Sequence, residues 1–239
     1  MSTIPELDKE TALRFLTTRS DTPAEVLAFA AKSENPVTRA RVASNPGTTP
    51  DTLRELAEDS FNNTRVAVAE NPNTPQDVLI RLAQDTNVGI RRGVAANPKA
   101  PAEALKCLAE GAFTKRMVAE NPSTPKEILA DFAQNDFETL GDIVARNSGT
   151  PAEILAKLAT NENHLIRRMV AGNSSTEPEV LVQLSKDENE FVREEVAGNP
   201  NTPAETLVVL LADIFDQVQF SVLNNPSFPH DLVRKVAGI

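Results

Sequence analysis

The stretch NPNTPQDVLIRLAQD, residues 71–85, decides the fold because the chain writes it again on either side. NPGTTPDTLRELAED from Asn45, NPKAPAEALKCLAEG from Asn97 and NPSTPKEILADFAQN from Asn121 keep the same order of polar corner and apolar run. With the opening Asn as origin, the phrase recurs at Asn45, Asn71, Asn97, Asn121, Asn147, Asn173, Asn199 and Asn225, in steps of 26 residues with one step of 24. A valine stands three residues before each, from Val42 to Val222, and an alanine two before, except at the last, where Leu223 replaces it. An aliphatic residue stands eight after, from Leu53 to Val233. Self-similarity at this period marks one supersecondary unit stacked on copies of itself, each burying its apolar face against the next.

Local chemistry turns the phrase into two helices. In TPAE at Thr22, Thr150 and Thr202, and TPKE at Thr124, the Thr is placed to cap a helix. The Pro takes the first helical position and the Glu completes a capping box. Apolar residues follow at helical spacing, as in Leu79, Leu82 and Ala83. A second, shorter segment repeats apolar residues four apart, Ile90 to Val94 and Ile166 to Val170, and is expected to be partly 3₁₀. The following Asn-Pro ends it, since the residue before proline leaves the helical region. The phrase NPNTP is therefore a corner. Its Asn can bond its own turn or the adjacent unit, so all eight are read as structural.

Residues 1–20 carry a degenerate capping repeat, with Arg19 where the Asn belongs. Residues 21–225 form the array. Residues 226–239 supply half a repeat, through Val233, Val236 and Ala237. One elongated domain is expected, because each unit meets only its neighbours.

Composition narrows the function. A net charge of −10 opposes nonspecific attraction to nucleic acid or anionic membranes. The single Cys107 cannot make an internal disulfide or a multi-thiolate metal site, and is expected to be buried or half-buried between leucines. No apolar run suits a signal or a membrane span, so the expected location is cytoplasmic and no membrane partner is expected.

With these residues in register, the chain resembles the leucine-rich repeat variant family of bacteria, whose units read Asn-Pro-x-Thr-Pro, Leu-x-x-Leu-Ala, Val-Arg-x-x-Val-Ala. The resemblance covers the chain from about Asp21 to Ile239. It implies an all-α, right-handed superhelical solenoid of about eight two-helix repeats, HEAT-like and without strands, alternating α and 3₁₀ helices. Some members carry an amino-terminal cysteine cluster for a four-iron centre. Residues 1–25 here contain no cysteine, so no cofactor is carried over.

No catalytic constellation is visible. His164 and His230 lie in different loops, and the carboxylates recur as helix starts and loop residues. A non-enzyme is expected. Six residues before each Asn runs a basic column, Arg39, Arg65, Arg91, Lys115, Arg167 and Arg193, broken at Gly141 and ended by Gln219. Pairing with loop carboxylates is expected, Asp59, Asp85 and Asp187 standing six residues before Arg65, Arg91 and Arg193. The next two positions vary between repeats and are freed from that rule. They place Arg92, Arg116, Asp142 and Arg168 beside Met117, Ile143 and Met169. Arg and Met are enriched at protein interfaces, which makes these residues the candidate partner-binding strip, for another protein or an acidic peptide, on a monomer. The competing reading is a nucleic-acid binder or a base-processing enzyme, by analogy with HEAT-like DNA glycosylases. It needs a continuous basic groove with aromatics for stacking. Gly141, Asp142, Glu194 and Glu195 interrupt the column, and the chain has neither Trp nor Tyr. Phe61, Phe113, Phe137, Phe191 and Phe215 near the second helices are expected to pack between repeats.

Overall fold

The structure, a computed structural model, describes residues 9–229 and 231. Val233, Val236, Ala237 and His230 lie outside them. The described residues form α-helices joined by tight corners, with no strand among them. The chain divides into two compact units, Met1–Pro125 and Lys126–Ile239.

In the first unit the first helices of successive repeats are α2 (Ala24–Ala30), α4 (Pro50–Leu56), α6 (Gln76–Leu82) and α8 (Ala102–Ala109). The second helices are α1 (Lys9–Leu16), α3 (Pro36–Ser44), α5 (Asn62–Glu70), α7 (Val88–Ala96) and α9 (Lys115–Glu120). In the second unit α10 (Lys126–Asn135), α12 (Ala152–Leu158), α14 (Pro178–Leu184) and α16 (Ala204–Leu210) are first helices. The second helices there are α11 (Phe137–Arg146), α13 (His164–Gly172), α15 (Glu190–Gly198) and α17 (Asp216–Asn224). The second helices are α-helical and mostly 9 residues long, against 7 for most first helices, so they are not 3₁₀ and only α9, with 6 residues against 8 in α8, is the shorter of its pair. Within each unit they pack closely on one another, and the Val and Ala beside each corner form that seam.

Periodicity matches burial. Val42, Val68, Val94, Val118, Val144, Val170, Val196 and Val222 are all completely buried. So are Leu53, Leu79, Leu105, Leu129, Leu155, Leu181 and Leu207 eight residues after the corners. Each such side chain contributes roughly 2 kcal/mol through removal from water.

Polar side chains hold the corners. Asn71 Nδ2 donates to the carbonyls of Ala43 at 2.6 Å and Asn45 at 3.0 Å in the preceding repeat, while its Oδ1 accepts the Asn73 N–H at 2.8 Å. Asn97, Asn173, Asn199 and Asn225 repeat the arrangement. Asn45 reaches the carbonyls of Thr17 and Arg19, and Asn121 those of Ala95 and Asn97. One buried side chain thus satisfies three backbone groups that a tight turn would leave unpaired. The Thr three residues on has a different job from the expected cap. Thr22, Thr124, Thr150 and Thr202 are buried and donate Oγ1 to the carbonyls of Leu16, Val118, Val144 and Val196, binding the corner back to the preceding second helix. The N-cap position in α2, α6, α8, α12 and α16 is the proline itself. Thr49, which stands where other corners have the proline, does cap α4 by accepting the Thr52 N–H.

Candidate functional site

The basic column is a structural ladder of a form the sequence left half-read. Arg39 donates to Asp59 at 2.5 Å, Arg65 to Asp85 at 2.9 Å, Arg167 to Asp187 at 2.6 Å and Arg193 to Asp213 at 2.6 Å. The carboxylate is thus twenty residues ahead, in the next repeat. The residue six positions before supplies only its backbone carbonyl, as Asp59 does to Arg65 at 2.7 Å and Asp187 to Arg193 at 2.7 Å. Each Asp also accepts the N–H two residues on, Phe61 on Asp59 and Phe215 on Asp213. These hubs are largely buried, Arg167 being 11% and Asp187 7% exposed. Hydrogen bonds from Arg39 and Arg193 hold the Asp59 and Asp213 carboxyls below the usual range, against an opposing effect of burial. For Arg91 the ladder carboxylate is missing, since Gly111 stands twenty residues on; it donates to the carbonyls of Asp85 and Thr86.

The predicted strip splits by position. In the first unit Arg92 is exposed and makes no ion pair among the described residues, and with Met117, Val66 and Glu70 it lines a shallow depression of about 290 Å³. Arg116 is exposed and pairs with Glu120 one turn on, at 3.1 Å. In the second unit Asp142 is exposed, 4.0 Å from Arg146. Arg168 is not free: it pairs with Glu195 of the next repeat at 2.8 Å and lies over the Phe191 ring, 5.7 Å from its centre. Met169 is half-buried against the core. Ile143 is a correction, at 3% exposed. At this second variable position Ala67 and Gly93 are also buried against the neighbouring helix, whereas Met117 and Met169 stay partly exposed. A Cβ on Gly93 would come within 3.0 Å of the Ala69 Cβ, which shows how close these backbones run.

Other expectations change too. Cys107 is exposed, because its position on α8 points away from the stripe of Leu105 and Leu108. Phe113 is 74% exposed rather than packed between repeats. Phe191 and Phe215 are half-exposed platforms for Arg168 and Arg193. His164 is an exposed first residue of α13. Among the described residues no cluster of His, Cys, Asp and Glu could hold a metal ion, and no helix is long and apolar enough to cross a membrane.

Sequence reasoning missed a cavity. Between α10 and α12 lies an opening of about 610 Å³ floored by Ala133, Ile154 and Leu158, with Phe137 on one side and Gln134, Lys157 and Asn161 at its rim. The signal was present as two simultaneous departures from the ladder, Gly141 for its Arg and Asn161 for its Asp.

Comparison with known proteins agrees with this architecture. Residues 37–96 match the family described as Leucine Rich Repeat Variant domain, and residues 190–213 the one described as Leucine rich repeat variant. Among solved structures the chain is similar to "a leucine-rich repeat variant with a novel repetitive protein structural motif", at TM-score 0.54 and 20% identity, over 92% of this chain and 87% of that one. An engineered protein of solved structure matches at TM-score 0.41 and 16% identity, over 92% and 85% of the two chains, too distant to carry weight. No curated protein matches.

Proposed function

The chain belongs to the leucine-rich repeat variant family, and from that premise we propose that it is a non-enzymatic scaffold that binds another protein through the exposed variable positions of its second helices. The observation that carries this reading is the division of labour within each second helix. The ladder position is engaged by the Asp of the next repeat and a carbonyl of its own loop, while the position after it is exposed in Arg92, Arg116 and Asp142 and differs from repeat to repeat. A stacked array of this kind offers a long surface whose side chains change freely while the frame stays fixed. Arg92, in no ion pair among the described residues and sharing its depression with Met117 and Glu70, suits a segment that offers a carboxylate to the guanidinium and an apolar side chain to the methionine.

The test is capture from the native cell lysate with the purified chain and its Arg92→Glu/Arg116→Glu variant. A protein retained by the wild type, lost from the variant and weakened by salt supports the reading. Nucleic acid retained instead, or equal retention by both forms, contradicts it.

A further inference from the structure

We infer that the groove between α10 and α12 is a peptide-binding slot, for a short segment of a partner presenting a large apolar side chain beside a carboxylate. The argument comes from comparing it with the equivalent groove between α4 and α6. There the groove, a smaller opening of about 480 Å³, is lined by two ion pairs, Arg65 with Asp85 at 2.9 Å and Arg81 with Glu58 at 2.8 Å. Four substitutions at matching repeat positions undo this in the second unit: Gly141 for Arg65, Asn161 for Asp85, Lys157 for Arg81 and Gln134 for Glu58. Both ion pairs vanish together. Asn161 keeps the backbone task of the Asp, accepting the Asn163 N–H at 2.9 Å, and gives up only the charge.

Nothing charged refills the space. Phe137 lies across Gly141, so that a Cβ there would meet its ring at 2.5 Å, and becomes a wall of the opening. The groove near α4 is lined by Glu58, Asp59 and Asp85 as well as two arginines. The one between α10 and α12 has no carboxylate in its lining, and Lys157 is its single charge, in a chain of net charge −10. That ammonium lacks an ion-pair partner among the described residues and sits at the edge of an apolar floor. An occupant must therefore be apolar where it meets Ala133, Ile154 and Leu158, and anionic where it meets Lys157. The side-chain amides of Gln134 and Asn161 can each donate and accept, as the backbone of a peptide requires and the chain of a simple fatty acid does not. None of the residues lining the slot belongs to the Arg92 surface, so its occupancy does not depend on that surface.

A phage-displayed library of random peptides, selected on the full chain, tests the inference. Selected peptides are expected to share Leu, Phe or Met next to Asp or Glu. Synthetic copies should bind at least about tenfold more weakly to Lys157→Glu, and to Gly141→Arg/Asn161→Asp, which rebuilds the ion pair used elsewhere. Should the double variant fold poorly, the exposed Lys157→Glu change carries the test alone. Arg92→Glu/Arg116→Glu should leave this binding unchanged while abolishing capture at the other surface, which separates the two readings. Selection of no peptides, or of peptides without the apolar-acidic pair, overturns the inference. So does equal binding by the Lys157→Glu variant, or saturable decanoate binding lost in that variant without any peptide selected.

Discussion

The corner bridged by Arg167 and Asp187 and the corner flanked by Gly141 and Asn161 share one backbone frame but differ in what occupies the space beside it. Both have a fully buried Val before the corner, Val170 and Val144, and a buried Asn at it, Asn173 and Asn147. Both have a Thr donating back to that Val, Thr176 at 2.5 Å and Thr150 at 2.6 Å. One adds a nearly buried ion pair, and the other a cavity with a phenylalanine wall. The frame is therefore built by aliphatic, Asn and Thr side chains. The Arg–Asp hub is an optional filling.

The largest loss is expected from the frame. Asn173→Ala removes the donor to Ala145 and Asn147 carbonyls and the acceptor of the Ser175 N–H, all at a buried site. Since each buried unsatisfied group costs about 1–3 kcal/mol, the variant should lose roughly 3 kcal/mol by urea unfolding followed by far-UV circular dichroism. Equal stability to wild type would place the frame elsewhere.

Acid should then weaken the hubs before the frame. Asp59, Asp85, Asp187 and Asp213 are held below the usual carboxylate range. A depressed folded-state pKa gives stability that is fully present above the unfolded value, about 4, and is lost as pH falls through the folded value. Urea midpoints should be level near neutrality and decline below about pH 4. Gly141 and Asn161 carry no such group, so amide exchange near them should change less with acid than near Asp187.

Charge reversal grades the variable positions. Arg168→Glu sets a carboxylate against Glu195 and removes the guanidinium from Phe191, for a cost of about 1 kcal/mol. Arg92→Glu, at an exposed position in no ion pair among the described residues, should change the urea midpoint hardly at all. The reverse order would mean that the exposed position is part of the frame.

Much of this was legible in the chain. The 26-residue register located the buried Val three residues before each corner and the Leu eight residues after each described one, because burial in a stack repeats with the stack. The role of Thr was misread: TPAE looks like a capping box, but the Thr side chain has a nearer partner in the preceding helix carbonyl, a contact made only once the corner closes. The partner of each Arg was misassigned for a related reason. Local spacing suggested six residues, whereas stacking brings the Asp twenty residues ahead alongside. Ile143 was indistinguishable from an exposed variable residue until the adjacent helix was in place. The cavity is visible in sequence only as paired exceptions, since neither Gly141 nor Asn161 alone signals it.

The most direct measurement of the frame-and-filling account is a double-mutant cycle by urea unfolding on Arg167→Gln and Asp187→Asn. Gln is already used at the ladder position 219, where Nε2 donates to the Asp213 carbonyl at 2.6 Å, and Asn at position 161. Arg167→Gln alone should cost about 3 kcal/mol by leaving a nearly buried carboxylate unpaired. The double variant should recover most of that loss and unfold cooperatively, as the corner flanked by Gly141 and Asn161 implies. A double variant as unstable as the single one would show that the ion pair belongs to the frame, and would contradict the account.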